Sequence, residues 1–301
     1  MVSRCDVRQF DMDYILYILV MITIYGTLAV SLDLAAGHTG LLSIAHASFY
    51  ALGAYGSAIL CGRLGLPTAV GLLAGMMLAA FAAVFLSFFC LRLSEDYFVI
   101  GTFGFCLVIS NVLNNWLAVT RGPFGIPGIP APTIFGWVLR SQAGFLLLGL
   151  LLLGLTFFLV RRLTTNSFGR ALHGIREDEV LVQAFGKDTF QFKVAALSIG
   201  ACLAAAAGSL YAHYISFVDP TGFSVTESIL ILSMVIVGGP AGKYGPLIGA
   251  VILVAIPEAL RFVGMPASSA ANLRQILYGI LLVSFVLLRP RGLAGSYAFH
   301  R

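Results

Sequence analysis

The segment SVTESILILSMVIVGGPAGKYGPLIGA (residues 224–250) decides the fold, because it is apolar enough for a membrane yet cannot cross one as a single helix. Ser224 and Glu227 form an S-x-x-E capping box, which predicts a helix beginning near Ser224. Gly-Gly-Pro at 238–240 cannot continue that helix, so it ends after about 21 Å, short of a bilayer core of about 30 Å. A second helix is expected from about 246 to 262.

A short helix, a glycine-rich turn and another helix predict a broken or re-entrant helix pair near 224–262. Such irregular backbone is tolerated at membrane depth only where it is buried in protein or faces a wet cavity. The stretch GHTG at 37–40 interrupts an earlier apolar run in a similar way. Paired interruptions of this kind point to a translocation path in transport proteins.

The composition of the whole chain places these segments in a membrane protein. Of its 301 residues, 59% are hydrophobic and 10% are charged, with a mean hydropathy of +0.96. A soluble domain carries about 25% charged residues. We therefore expect a single all-α transmembrane domain over 1–301, a polytopic helical bundle of about eight spans. Besides the divided region, the expected spans are 14–32, 41–60, 68–91, 97–119, 143–160, 192–214 and 273–288.

The placement of positive charge predicts the orientation of the bundle. The connection 161–193 (hereafter the basic connection) is the longest polar stretch and carries six of the basic residues. The tail after residue 288 adds Arg289, Arg291 and Arg301. Because cytoplasmic loops are enriched in Lys and Arg, both segments are expected in the cytoplasm. The Gly- and Pro-rich loop 120–142 is then expected outside, as a structured non-helical loop.

Within the basic connection, residues 166–188 predict one amphipathic helix. Its apolar side chains fall on one stripe at 100° per residue, so the helix must dock on something. One interpretation is a helix lying along lipid headgroups. The acidic run 177–179 suits an anionic headgroup surface poorly, which favours a helix that fits a groove of a soluble partner.

Five motifs in this order resemble the permeases of branched-chain amino acid ABC importers, in particular the LivM-type subunit. They are GHTGLLSIAHA (37–47), GPFGIPGIP (122–130), GRALHGIREDE (169–179), YAHYISFVDPTGF (211–223) and VGGPAGKYGPLIGA (237–250). The resemblance runs over nearly the whole chain. It implies a multi-pass permease of a bacterial-type inner membrane that moves branched-chain or related hydrophobic amino acids inward.

The resemblance also implies partners. They are a second, homologous permease, two cytoplasmic ATPase subunits and a periplasmic or extracytoplasmic substrate-binding protein. This chain itself is expected to contact membrane lipid and to bind no nucleic acid. ATP would be used by the partner subunits, so this chain is expected to be no enzyme and to bind no cofactor or metal. The sequence contains no G-x-x-x-x-G-K-[ST] phosphate-binding motif, which agrees with that division of work.

Two other functions remain open at this stage. A permease of the same family could carry urea, short amides or another small solute instead of amino acids. An independent secondary transporter is the other alternative, although it would require ionisable residues buried mid-span, which the spans mostly lack. An intramembrane enzyme is disfavoured. It would need a nucleophile and a base such as Ser43 and His46, and no residue near them in sequence would orient His46 as a catalytic base.

The candidate site residues form two sets. The resemblance implies that residues 166–188 form a coupling helix held by an ATPase, with Gly169, Arg170, Ile175, Arg176, Glu177, Glu179 and Gly186 as its coupling residues. The candidate translocation path contains Gly40, Ser43, His46, Asn114, Glu227, Gly238 and Gly239. For His46, a hydrogen-bonded structural histidine is the competing interpretation. For Glu227, the helix cap is favoured over binding of a substrate ammonium group.

Overall fold

A computed structural model describes residues 4–93, 95–134, 137–261, 276, 278–285, 287, 289 and 292–295. Those residues form helices α1 (Arg4–Thr39), α2 (His46–Gly62), α3 (Thr68–Cys90), α4 (Glu95–Asn115), α5 (Leu117–Thr120), α6 (Gln142–Thr165), α7 (Ser167–Glu177), α8 (Glu179–Ala184), α9 (Thr189–Ile215), α10 (Val225–Gly238) and α11 (Gly245–Arg261). They also form two-residue strands β1 (Ile126–Pro127), β2 (Thr133–Ile134), β3 (Trp137–Val138) and β4 (Phe217–Val218).

Five helices of the described chain are long and apolar enough to cross a membrane. These segments are Met12–Thr39, Thr68–Cys90, Asp96–Asn115, Gln142–Thr165 and Thr189–Ile215. The helices α10 and α11 are apolar but shorter. The membrane-protein class predicted from composition is therefore confirmed, whereas the expected total of about eight spans is not established by these five.

The expected spans differ from the helices mainly at their ends. The prediction of 41–60 as one span was wrong at its start, because residues 40–45 are irregular and α2 begins only at His46. The span expected at 97–119 ends as α4 at Asn115. Of the span expected at 273–288, residues 276, 278–285 and 287 are described and are helical, whereas 273–275, 277, 286 and 288 lie outside the described residues.

Helices α2, α3 and α9 form the tightest part of the bundle. Their small residues allow backbone to meet backbone: a Cβ at Gly75 would lie 3.0 Å from the Gly53 carbonyl oxygen. A Cβ at Gly208 would lie 2.9 Å from the backbone nitrogen of Ala54. Because lipid tails are as apolar as leucine, such close packing is what holds helices together in a bilayer.

The loop that connects α4 to α6 closes one end of the bundle, hereafter the loop end. Strand β1 pairs antiparallel with β4, with Ile126 opposite Val218. The backbone nitrogens of Gly128 and Ile129 both donate to the Ser216 carbonyl. The guanidinium of Arg63 donates to the Ala118 carbonyl at 2.9 Å. The prediction of a structured loop at 120–142 is confirmed for the described residues, but the loop is not wholly non-helical, because Gly122–Phe124 form a turn of 3-10 helix. The short strands are an addition that the sequence did not indicate.

The opposite end, hereafter the α7 end, is where α1 and α6 finish and α9 begins. The basic connection lies here, but not as the one helix expected over 166–188. Asp178 takes an extended conformation (φ −156°, ψ 100°) and separates α7 from α8. Its carboxylate accepts a hydrogen bond from the Leu181 backbone nitrogen at 2.9 Å and so caps the first turn of α8.

The divided helix pair matches the prediction in its break but not in its cap. Helix α10 ends at Gly238, and Gly239 has a φ of 109°, which favours glycine. Ser224 occupies the N-cap position, yet its side chain makes no capping hydrogen bond, so the capping-box interpretation was wrong. The Glu227 carboxylate instead accepts a hydrogen bond from the Tyr25 hydroxyl at 2.5 Å, because α1 brings a tertiary donor to it.

Candidate functional site

The apolar stripe of α7 packs into the bundle at the α7 end. Leu172 is completely buried and clusters with Leu34 of α1, Val160 of α6 and Ala196 of α9. A Cβ at Gly169 would overlap the Thr164 carbonyl, so glycine permits the chain to fold back tightly after α6. Helix α7 of the basic connection is therefore fixed to three spans.

Two polar contacts hold the end of α7 against the end of α1. The Arg176 guanidinium donates to the Gly37 carbonyl. His173 Nε2 lies 3.2 Å from His38 Nδ1, and the two rings meet edge to face at 4.8 Å. Burial, aided by the Arg176 charge, lowers the pKa of His173 below its usual value. The neutral imidazole form is therefore favoured at this contact.

Helix α8 is attached to α9 by a different pair of contacts. Lys193 Nζ donates to Glu179 Oε2 at 2.6 Å. Gln183 Nε2 donates to the Thr189 hydroxyl at 2.9 Å. Partial burial acts to raise the pKa of Glu179, but hydrogen bonds from Lys193 and Thr189 outweigh burial and leave that pKa below its ordinary value. The Glu179 carboxylate is therefore ionised under neutral conditions and bonded to the bundle.

Three apolar side chains of this region project away from the bundle. Val180 is 74% exposed, Leu181 is 54% exposed and Phe185, which follows α8, is 77% exposed. We call these three residues the α8 apolar patch. Sequence reasoning missed them, because it followed only the stripe shared with α7. The helix restarts after Asp178, so the apolar stripe of α7 does not continue into α8. Recognising Asp178 in the sequence as a helix N-cap is the signal that could have found these side chains.

The predicted coupling residues consequently divide into three groups. Arg170, Glu177 and Gly186 are exposed, and Gly186 has the left-handed φ of 76° expected of a glycine that ends a helix. Gly169 and Ile175 are buried. Arg176 and Glu179 bind α1 and α9 respectively, so their first contacts are within this chain.

Of the predicted path residues, those near the start of α2 lie in a largely buried, hydrogen-bonded environment. His46 is 3% exposed, and its Nε2 lies 2.8 Å from the Ser31 hydroxyl. The Ser43 hydroxyl accepts a hydrogen bond from the Ala45 backbone nitrogen at 3.2 Å. This geometry is that of a histidine satisfied by a protein partner. Gly40, with a φ of 79°, lies next to the Arg176 side chain.

Polar side chains of α4 and α10 contact the irregular stretch before α2 and the first turn of α2. The Ser228 hydroxyl accepts from the Ala47 backbone nitrogen at 3.0 Å, and the Thr102 hydroxyl accepts from the Ile44 nitrogen at 3.1 Å. Sequence reasoning did not single out either hydroxyl, since each partner belongs to a distant element. Both hydroxyls are buried; Thr102 joins α4 to the irregular stretch before α2, and Ser228 joins α10 to the first turn of α2.

The remaining predicted path residues are spread along the bundle. The Asn114 amide donates to the Ser110 carbonyl of its own helix at 3.0 Å. Glu227 lies in the first turn of α10, whereas Gly238 and Gly239 lie at the end of that helix. The structure therefore does not gather the seven residues in one place. Among the described residues, no group of three His, Cys, Asp or Glu side chains could hold a metal ion.

Comparison with known proteins places the chain in a family. Residues 14–286 match the family described as the permease component of the branched-chain amino acid transport system. The chain belongs to this family. Its members are transport permease subunits, and the predicted LivM-type resemblance is confirmed by the relatives.

Three relatives show how this permease compares with named proteins. It is 34% identical over 294 residues to the high-affinity branched-chain amino acid transport system permease protein LivM of Escherichia coli, covering 90% of this chain and 67% of that one. It is 27% identical over 213 residues to a probable LivM of Methanocaldococcus jannaschii, covering 67% and 61%. It is 23% identical over 297 residues to LivH of Escherichia coli, covering 90% and 91%.

Proposed function

We propose that this chain is the membrane-spanning permease subunit of an ATP-driven importer that moves branched-chain or related hydrophobic amino acids inward. Membership of the permease family supports the transport role, and the names of the LivM and LivH relatives support the substrate class. The proposed complex contains a second homologous permease, two ATPase subunits and a substrate-binding protein. The inner membrane is its proposed location.

The observation that carries this proposal is the α8 apolar patch. Val180 and Phe185 are about three-quarters exposed on a short helix that lies beyond the spans, attached to α9 by charged and polar contacts. Apolar side chains presented on a held helix suit the groove of a soluble partner. An ATPase subunit bound there would push on a segment whose first helix, α7, is packed against three spans.

Helix α4 supplies the proposed surface for the second permease. Its side chains are mostly outward, including the exposed amides of Asn111 and Asn115. Each amide nitrogen donates to a carbonyl of the same helix, to Leu107 and Asn111 respectively. Asparagine side chains in membrane helices favour contact with another helix over contact with lipid. A facing permease would cover this surface.

The proposed orientation follows from charge. The basic connection and the tail from Arg289 lie on the cytoplasmic side, and the loop end, with its paired strands, faces outward toward the binding protein. Labelling single introduced cysteines tests it. A cysteine replacing exposed Lys187 is expected to react only with a reagent supplied from inside, and one replacing exposed Arg121 only from outside. The reverse pattern would contradict both the orientation and the ATPase contact.

Reconstitution tests the function itself. The chain is purified with the second permease and ATPases encoded beside it, placed in liposomes and supplied with the cognate binding protein. Leucine uptake is expected only when ATP is present. Uptake of urea or acetamide in place of leucine would favour the alternative substrate class. Uptake by this chain alone without ATP would overturn the importer and favour an independent secondary transporter.

A further inference from the structure

A buried carboxylate near the end of α1 contacts the turn between α10 and α11. Asp33 is 3% exposed, and its Oδ1 accepts a hydrogen bond from the Ala241 backbone nitrogen at 2.9 Å. Its Oδ2 lies 3.6 Å from Nε2 of His38, which follows five residues later in α1. Burying a carboxylate is costly unless hydrogen bonds or opposite charges compensate for lost water, so this contact is specific.

The turn that Asp33 holds has little regular hydrogen bonding of its own. Residues 239–244 lie between two helices; Pro240 has no backbone donor, and Ala241 takes a left-handed φ of 53°, unusual for a residue with a side chain. Further hydrogen bonds tie the end of α10 to residues 293 and 294. The side-chain bond from Asp33 therefore fixes a strained point of this turn.

Helix α7 contacts the same end of α1 that carries Asp33. Arg176 binds the Gly37 carbonyl, and His173 meets His38, which adjoins Asp33. At Gly37 the two backbones nearly touch: a Cβ there would overlap the Asp33 carboxylate and lie 2.6 Å from the Ala241 nitrogen. A continuous path of contacts thus leads from α7 through residues 33–38 to the turn.

We propose that Asp33 is the positioning residue through which a displacement of α7 reaches the turn between α10 and α11. This inference rests on the proposed function, since an ATPase must move α7. An ATPase that pushes on α8 and α7 shifts the end of α1, and the bond from Asp33 to Ala241 carries the turn with it. The α10–α11 pair then changes position relative to the rest of the bundle.

The surroundings leave room for that movement. A cavity of about 330 Å³ lies beside Asp33 and Ala241, walled by α6, α7 and the turn. Lys243 and Pro246 line its turn side, while Phe157 and Thr164 line its α6 side. Packed interiors resist displacement because they have few voids, so a cavity beside the turn allows it to move without overpacking.

The test measures ATP hydrolysed per leucine transported by the reconstituted complex. In Asp33→Ala, transport is expected to fall roughly tenfold while ATP hydrolysis is retained, because the turn no longer follows α7. Asp33→Asn is expected to restore much of the transport, since its amide oxygen still accepts from the Ala241 nitrogen. Gly37→Ala, which pushes the same contact apart and keeps the carboxylate, is expected to uncouple as well. The matched control is Thr27→Ala, a buried α1 residue bonded only within its helix.

A second readout separates positioning from simple stabilisation. Nitroxide labels at exposed Lys243 and Arg121 are expected to change separation on ATP binding in the wild-type chain and in Asp33→Asn, but not in Gly37→Ala. If Asp33→Ala and Gly37→Ala both keep the wild-type ratio of transport to hydrolysis, the inference is overturned. Equal loss of hydrolysis and transport in Gly37→Ala overturns it too. A wild-type complex without ATP-dependent uptake instead refutes the proposed function.

Discussion

Helices α7 and α8 are consecutive parts of one connection, yet they present opposite surfaces. The apolar side chains of α7 are buried among α1, α6 and α9, and its polar groups Arg176 and His173 bind α1. The apolar side chains of α8 face away, and its polar groups hold it to α9. The comparison indicates that α7 packs as part of the bundle, whereas α8 is attached to the bundle and leaves apolar side chains exposed.

The largest effect that distinguishes the two helices is expected on α8. The double variant Val180→Ser with Phe185→Ser removes most of the exposed apolar surface, so co-purification with the ATPases and leucine uptake should fall by at least about tenfold. Thermal unfolding of the permease alone should not change. Phe124→Ser is the matched control, because Phe124 is 80% exposed at the loop end. Full retention of the ATPases in the double variant would contradict the proposed docking role.

A stability effect is expected on α7. Leu172→Ala removes a side chain with no exposed surface and leaves a cavity among α1, α6 and α9, which should cost about 2–5 kcal/mol. Denaturant or thermal unfolding of the purified chain in detergent measures it. The corresponding change Leu181→Ala on α8 should leave stability almost unchanged. Equal losses at the two positions would remove the contrast between the helices.

A smaller effect is expected where α8 ends. Gly186 has a φ of 76° with open space around its Cα, so Gly186→Ala introduces backbone strain but no clash. The expected loss is about 1 kcal/mol, and Gly186→Asn should lose less, because asparagine tolerates this conformation better. Thermal unfolding of the three proteins gives the order. An alanine variant as stable as the wild type would show that the end of α8 rearranges freely.

The smallest expected effect is on the pH dependence of the stability of the fold. Because the folded-state pKa of Glu179 lies below its ordinary value, the bond to Lys193 stabilises the fold above the unfolded pKa and is lost as pH falls through the folded one. The pair is partly exposed, so its contribution should stay below about 1 kcal/mol. Unfolding of the wild type and of Glu179→Gln between pH 7 and about pH 3 measures it, and the difference should shrink below the ordinary pKa of a glutamate. A difference that grows would contradict the assignment.

The sequence could predict features that depend on neighbouring residues. The end of α10 at Gly238 follows from Gly-Gly-Pro alone. The end of α1 was predicted less well, because the span expected at 14–32 continues as helix to Thr39, through most of the interruption expected at 37–40. The break at Asp178 has no glycine or proline beside it. It depends on the carboxylate capping α8, although an Asp followed by Glu179 is a recognisable helix start.

Contacts with residues far away in sequence determine the side-chain interactions that could not be predicted from the sequence. The Glu227 carboxylate has a capping position available, but the Tyr25 hydroxyl, about two hundred residues away in sequence, determines where it points. Likewise, nothing in residues 169–179 indicates that Arg176 turns back toward Gly37. The contact of Asp33 with Ala241 also depends on the close approach of two backbones that are distant in sequence. Charge and spacing predict where such residues lie, and the fold determines what they touch.

The glycines between α10 and α11 have a mechanical consequence. A Cβ at Gly238 would overlap the Gly245 carbonyl and lie 3.0 Å from the Gly249 nitrogen, so no side chain separates the two helices at this point. Glycines have no side chains that could change rotamer, so this contact cannot absorb a displacement by repacking as ordinary core side chains do. If the turn is displaced as proposed, both helices are therefore expected to move together at this point.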